Sequence, residues 1–415
     1  MKQKSVEVYA HWHSISEPKK MGVLACEETR GHEVFSFAYD ESFLASKHRV
    51  ALDPSLNLYR GIQYNDDTNQ NFRVFLDSSP DRWGRVLMQR RAALLHRMGN
   101  RETARLSELD YLLGVHDHCR MGGLRFRTNT ESEWLDNSTD LAAPPLTSLK
   151  KLEYAALHLE DDPDVDNAQY LKWLNMLIAP GSSLGGARPK ANIIDTENGL
   201  WIAKFPNKND SIDVGGWERV CHILAKQAKV EMAPAYVERL NTPHHTFITK
   251  RFDRKGDSRI HFASAMTLLG YYDGKHQGAS YLELAEFIVM NGALPDNDLE
   301  QLWRRIVFYI AVSNTDDHLR NHGFLLTNHG WKLSPAYDIN PESDSYGLSL
   351  NISEHSNALD YELAFSVAEY FRIDKASANN IYDEVMCAVR TWQQVATKLG
   401  LSRESQLLKA SCFRI

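Results

Sequence analysis

The run Asn314-Thr-Asp316-Asp-His-Leu-Arg-Asn321-His-Gly-Phe-Leu-Leu-Thr-Asn-His-Gly-Trp-Lys-Leu-Ser-Pro-Ala-Tyr-Asp338 decides how this chain is read. Leu299, Leu302, Trp303, Ile306, Val307 and Ile310 recur at helical spacing, so a helix is expected to end near Ser313. A polar loop follows, with four residues between Asp316 and Asn321. Gly323-Phe-Leu-Leu and Trp331-Lys-Leu then read as a hairpin about Asn328-His-Gly330. Asp338 comes after the hairpin.

This order matches the spacing logic of a kinase catalytic loop followed by a metal-binding Asp. Phosphoryl transfer needs a carboxylate to accept the proton of an attacking hydroxyl, and Asp316 suits that task. It also needs oxygen ligands that leave Mg2+ room for phosphates and water, and Asn321 and Asp338 suit that. The bland reading is an Asx-rich loop whose side chains cap turns. Any one Asp favours the bland reading; the whole constellation, after a helix and around a hairpin, does not.

Three stretches upstream fit the same chemistry. In Gly181-Ser-Ser-Leu-Gly-Gly-Ala-Arg-Pro-Lys190, adjacent glycines let backbone N–H groups approach a phosphate. The run is neither a Walker loop nor the usual kinase glycine pattern, and alone it reads as a surface turn. In Trp201-Ile-Ala-Lys204-Phe-Pro206, Lys204 sits in a strand and is placed to reach phosphates; the alternative is a snorkelling edge lysine. Glu218, on the next helix, is its candidate partner, or an ordinary exposed carboxylate. Ile248-Thr-Lys-Arg-Phe-Asp-Arg254 leads from strands into helices, where a kinase hinge contacts adenine; a strand and a charged turn is the alternative.

The chain has 415 residues with 43% hydrophobic and 24% charged residues, which is globular composition. Its 16 Phe, 17 Tyr and 9 Trp exclude a disordered chain. A net charge of −7 disfavours nucleic-acid binding by the whole surface. No apolar run approaches bilayer length and no signal-peptide core is visible, so no membrane association is expected. Five cysteines far apart, with no Cys-x-x-Cys, suit a reduced cytoplasmic protein. His116-Asp-His-Cys119 lacks a second half at zinc spacing, and His11, His13, His244 and His245 read as surface residues. The arginines from Arg82 to Arg105 read as a solvated helix face. Residues 128–147 form the candidate linker, and Tyr382 to Leu399 a long amphipathic helix closed by Gly400.

On these stretches the chain resembles the HipA family, the kinase toxins of bacterial HipBA toxin–antitoxin modules. Ser79-Pro-Asp-Arg-Trp-Gly, Ser183-Leu-Gly-Gly-Ala-Arg-Pro-Lys190, Ala203-Lys-Phe-Pro206, Lys250-Arg-Phe-Asp-Arg254, Thr315-Asp-Asp-His-Leu-Arg-Asn321 and Ala336-Tyr-Asp338 carry the likeness. The resemblance implies an α+β, two-lobed protein-kinase-like fold with an additional N-terminal β-rich subdomain and an all-helical C-terminal lobe. The expected segments are 1–127 (β-rich subdomain), 148–252 (N-lobe with phosphate loop and strand Lys) and 253–415 (C-lobe with catalytic loop). It implies Asp316 as catalytic base, and Asn321 and Asp338 as Mg2+ ligands. The ATP positions are then Gly185, Gly186, Ala187, Arg188, Lys190, Lys204, Lys250, Arg251, Phe252, His318, Asn321, Tyr337 and Asp338. Ser183 matches the family's autophosphorylated, self-inactivating serine, with Ser182 adjacent and the choice between them open.

The function implied is an ATP- and Mg2+-dependent serine/threonine kinase, the toxin of a type II toxin–antitoxin system linked to persistence. The implied partners are a HipB-like helix-turn-helix antitoxin, operator DNA through that antitoxin, and a protein substrate such as an aminoacyl-tRNA synthetase. The loop reads Ala-Arg-Pro-Lys where the best-known member has a Gln-Glu version, and Asp317 stands where Gly is frequent. Two other readings stay open: a pseudokinase-like corepressor that binds antitoxin and operator DNA without catalysis, and a nucleotidyl transferase.

Overall fold

The computed structural model describes the chain except residues 1–2, 30, 66–69, 138–142, 160–166, 179–185, 187, 276 and 344–345. The chain is a mixed α+β protein that divides into two compact units. One comprises Met1–Lys208 with Asp253–Ala263; the other comprises Asn209–Phe252 with Ser264–Ile415. The division falls inside the expected 148–252 segment, so Lys204 belongs to the first unit and Glu218 to the second.

In the first unit an antiparallel sheet is built from β1 (Gln3–Ala10), β2 (Lys19–Thr29), β3 (His32–Tyr39), β4 (Ile62–Tyr64) and β5 (Leu124–Arg127). Their spatial order is β4-β3-β2-β1-β5. On β1, Val6 and Val8 point inward with Glu7 between them. A register shift between Val8 and Tyr9 then puts Tyr9 and Ala10 inside as well, as one extra residue in a strand must. Phe37, Phe72, Phe75 and Phe126 fill the core in tilted and edge-on contacts.

Helix Arg82–Arg97 begins at Asp81, whose Oδ1 accepts from Gly84 N at 2.8 Å. Ser107 and Asp110 form a capping box on Glu108–Leu113. The arginine run is not simply solvated. Arg85 makes a bidentate pair with Glu108 and lies over the Tyr111 ring at 4.5 Å.

The described parts of the candidate linker, 128–137 and 143–147, are likewise tied to the fold. Trp134 packs edge-on against Tyr9 and under the guanidinium groups of Arg125 and Arg127. Leu135 N donates to Phe126 O, and Ile194 N donates to Pro144 O. The polar composition of this stretch hid the one aromatic residue that folds part of it back.

The short segment Asp253–Ala263 returns to the first unit through polar contacts. Asp253 Oδ2 accepts from Gly122 N at 2.9 Å, and Arg254 donates to Arg120 O at 2.7 Å. Gly122 has φ +73, and a Cβ there would stand 3.0 Å from Phe262 N. Asp117, from the His-Asp-His-Cys run, accepts from Arg125 at 2.6 Å and from Arg259 at 3.1 Å. Burial alone would raise its pKa, but Arg259 and Arg125 overcome this and hold it below the ordinary range.

Asp117→Asn leaves two nearly buried cations facing a neutral amide, and should cost about 3–5 kcal/mol in urea unfolding. The carboxyl's folded pKa is depressed. Its stabilisation is therefore present above the unfolded value of about 3.9 and lost as pH falls below it. An unchanged urea midpoint in the Asn variant would remove this ion cluster from the account of stability.

The second unit centres on helix Pro295–Val312, with Pro at its first turn and Leu299, Leu302, Trp303, Ile306, Val307 and Ile310 fully buried. Ser280 and Glu283 cap helix Tyr281–Asn291. The expected all-helical lobe, 253–415, also holds the hairpin Gly323–Thr327/Gly330–Leu333. Strands Ala235–Arg239 and His245–Lys250, which fall in the expected N-lobe segment, belong to this second unit as well. The expected single helix from Tyr382 to Leu399 is two: Lys375–Val389 and Trp392–Lys398. Between them the Thr391 hydroxyl donates to Ala388 O, a local bond that competes with continued helix.

His245, expected at the surface, is buried beside Asp213, its Nδ1 2.6 Å from Oδ2. Glu218 is buried at 5% exposure rather than solvated. Among the described residues no helix is long and apolar enough to cross a membrane.

Candidate active site

Helix Pro295–Val312 stops because Ser313 turns left-handed at φ 51 and ψ 47. The chain then runs as a loop to a single turn at Leu319–Asn321. Asn314 Oδ1 accepts from Asn340 N at 2.9 Å, which ties the start of this loop to the segment after Asp338. Asn321 closes the loop on itself, its Nδ2 donating to Asp316 O at 2.6 Å. Asp316 thereby presents its carboxyl outward, with 71% of the side chain exposed and His318 Nε2 3.6 Å from Oδ1. Its pKa is raised: desolvation contributes most, His318 opposes it, and the charge of Asp338 adds to it.

Asn321 is buried at 3% exposure, yet its Oδ1 has no hydrogen-bond partner among the described residues. An orphaned buried amide oxygen costs free energy unless something electropositive meets it. Asp338 holds φ 58, a conformation disfavoured for a non-glycine residue and found where a side chain must be aimed. Two hard oxygen donors fit Mg2+, which takes few protein ligands and completes its shell with phosphate and water. Among the described residues no group of three His, Cys, Asp or Glu forms a denser metal cage.

Tyr337 precedes Asp338, and its hydroxyl donates to Arg320 O at 2.6 Å. Its ring lies 5.7 Å from that of Phe252. The end of the candidate hinge and the metal loop therefore share an aromatic contact. Lys250 N is already committed to Pro234 O at 2.8 Å, and Arg251 is buried at 3% exposure.

The remaining candidates lie in the first unit. Lys190 and Lys204 are paired residues on the hairpin Lys190–Ile194/Leu200–Lys204. Lys190 is buried and its ammonium is 2.7 Å from Asp81 Oδ2, the residue that also caps helix Arg82–Arg97. Lys204 and Arg188 are half-buried, and Gly186 is exposed at φ +92. Ser182, Ser183, Gly185 and Ala187 lie outside the described residues.

Asp317, noted in the sequence only as standing where Gly is frequent, has a task that the sequence does not assign. Asp317 is fully buried; it accepts from the Tyr281 hydroxyl and from Ser349 N at 2.5 Å. Its backbone oxygen lies 3.1 Å from His322 Nε2. The neighbouring carboxyls thus divide the work, Asp316 outward and Asp317 into the scaffold. Burial pushes the Asp317 pKa up to about 7. A raised folded-state pKa gives a stability contribution that is present below the unfolded value of about 3.9. It is lost as pH rises to about 7 and is level beyond. Urea midpoints should fall over that window in the parent protein and be flatter in Asp317→Asn. Equal slopes would show that another group titrates there.

No curated protein matches the chain. Among solved structures, HipA in the Shewanella oneidensis MR-1 toxin–antitoxin complex of HipA, HipB and operator DNA is similar over 98% of this chain and 94% of that one. The TM-score is 0.65 at 16% identity, which establishes the fold. The Helicobacter pylori proinflammatory kinase CtkA aligns over 55% of this chain and 91% of its own, at 14% identity and a TM-score of 0.37. That likeness is too slight to carry an argument. The HipA-like C-terminal domain family matches residues 182–393, a span that begins before the strand lysines and runs past Asp338. With half of the chain inside that match and the fold of HipA along its length, the protein belongs to the HipA family.

Proposed function

We propose that the protein is an ATP- and Mg2+-dependent serine/threonine kinase and the toxin of a toxin–antitoxin pair. The observation that carries this reading is the geometry of the candidate catalytic loop: an outward Asp316, a buried Asn321 whose amide oxygen has no partner among the described residues, and Asp338 in a left-handed conformation.

In this reading Asp316 accepts the proton of a serine or threonine hydroxyl as that oxygen bonds to the γ-phosphorus of ATP. The bond to the β,γ-bridging oxygen breaks and ADP leaves. Asn321 and Asp338 would hold Mg2+, which supplies charge neutralisation at the phosphates when bound. Phe252 and Tyr337 offer ring surface for a base, and Lys204 offers a cation for phosphate.

The solved relative is a complex of HipA with HipB and operator DNA, which supports an antitoxin and operator DNA as partners of this chain; the antitoxin is proposed to be a helix-turn-helix protein that carries the DNA contact. A translation enzyme such as an aminoacyl-tRNA synthetase is the proposed substrate, and Ser183 the proposed site of self-inactivation.

Intact-mass measurement after incubation with Mg2+ and ATP tests the reading. A gain of about 80 Da, the mass of one phosphoryl group, is expected. A larger nucleotide adduct would instead make the protein a nucleotidyl transferase. No adduct on the chain and no phosphate on proteins of a host lysate would leave a corepressor without catalysis. Ser183→Ala should keep transferring phosphate to substrate yet fail to shut itself off, because the added charge of about −1.5 to −2 could no longer compete with ATP phosphate. Phosphate mapped solely to Ser182 or elsewhere would refute that assignment.

A further inference from the structure

Near the end of the sequence, helix Arg403–Lys409 is followed by a turn at Ala410–Cys412 and then by Phe413 and Arg414. This segment makes unusual use of its polar atoms. Arg414 N donates at 2.9 Å to Ala311 O, one of the carbonyls that the last turn of helix Pro295–Val312 leaves without an intrahelical partner. Arg414 Nε donates at 3.1 Å to Ser313 Oγ, and that hydroxyl donates at 2.8 Å to Cys412 O. The Lys409 ammonium, buried at 8% exposure, donates at 2.6 Å to Pro341 O.

The targets of these bonds are the two segments that carry the candidate base and metal ligand. Ser313 is the left-handed residue that ends the helix and launches the loop to Asp316. Pro341 lies on the stretch that leaves Asp338, and the two segments are already joined by Glu342 N to Ser313 O at 3.0 Å and Asn340 N to Asn314 Oδ1. A left-handed serine persists only where its surroundings over-determine it, and a buried ammonium is retained only where its bond repays desolvation. Phe413 anchors the segment by stacking on Trp392, with ring centroids 4.3 Å apart and planes 5° from parallel. The Tyr361 hydroxyl holds Arg414 O at 2.5 Å.

We infer that Lys409, Cys412 and Arg414 form a positioning clasp that fixes the junction of the Ser313 and Pro341 segments and so sets the placement of Asp316 relative to Asp338. The inference rests on the phosphoryl-transfer reading for its functional consequence, but the clasp itself can be tested without catalysis.

Lys409→Met, in the full chain, keeps the aliphatic stem and removes the donor. Hydrogen exchange should rise together in 313–316 and 338–342. The rate constant for transfer from ATP should fall about tenfold or more, as small displacements of reacting groups do. The Mg2+ concentration for half-maximal rate should rise, and Lys409→Arg, which keeps a donor, should recover part of both. Exchange that rises only in 409–414, or transfer and Mg2+ dependence that stay at parent values, would overturn the clasp. If the parent protein transfers no phosphate, the kinase reading fails and the exchange result alone decides. Should Lys409→Met not fold, Ser313→Ala, which removes the hydroxyl that takes two of the bonds, is read by the same two measurements.

Discussion

Asp316→Asn is expected to lower phosphoryl transfer by about 10²–10⁴-fold, the usual contribution of a positioned general base. Asn has nearly the shape of Asp but does not take up the hydroxyl proton. The fold should survive, because the side chain is 71% exposed and the structural bond at this residue uses its backbone oxygen, held by Asn321 Nδ2. ATP affinity should change little, since the base acts on the acceptor hydroxyl. The measurement is single-turnover transfer to substrate, with growth after induction as a second readout. An Asn variant that still labels with ATP at the parent rate and still arrests growth would move the base to another residue. The adjacent Asp317→Asn is the informative control. It alters a buried carboxyl that the Tyr281 hydroxyl and Ser349 N grip, so its effect should appear mainly in stability and its pH dependence.

The contrast between these neighbours shows what the sequence can and cannot convey. The structural setting of Asp316 and Asn321 is legible because its causes are local. A helix ends, four residues separate two Asx side chains, and a hairpin follows; each of these is a short-range pattern with a short-range cause. The capping boxes at Ser107 and Ser280 were legible for the same reason. Asp317 carries the same side chain one position on, and only contacts with Tyr281 and Ser349, far away in sequence, assign it a structural task.

His245 reads as a surface residue in the sequence because its partner Asp213 is on a different element. In the sequence Lys190 stands out only by its place after a glycine-rich run, whereas its ammonium meets Asp81, more than a hundred residues earlier. The return of 253–263 to the first unit is invisible locally, since it depends on Asp117 and Gly122 standing ready to receive Arg259 and Asp253. Burial and long-range pairing, not residue type, separate the legible part of the site from the rest.

Asp338 offers the second large effect, and its backbone dictates the variant. At φ 58 a β-carbon is strained, and Asn tolerates the left-handed region better than Ala does. Asp338→Ala would therefore mix lost ligation with added backbone strain, whereas Asp338→Asn removes chiefly the negative charge. Mg2+ is a hard cation bound through few protein oxygens, so replacing an anionic ligand by a neutral amide should weaken Mg2+-dependent ATP binding by about tenfold or more. Nucleotide affinity without Mg2+ should hold steady or improve, because a carboxylate facing phosphate repels it when no cation lies between. Calorimetry with ATP, with and without Mg2+, separates the two effects. Asn321→Leu is the companion variant. It takes away the buried amide oxygen that has no partner among the described residues, together with the Nδ2 bond to Asp316 O, and so should lose Mg2+ dependence and loop order at once. If Asp338→Asn binds Mg2+-ATP as tightly as the parent while Asn321→Leu does not, the metal is held from the catalytic loop alone, and the left-handed Asp338 has some other task.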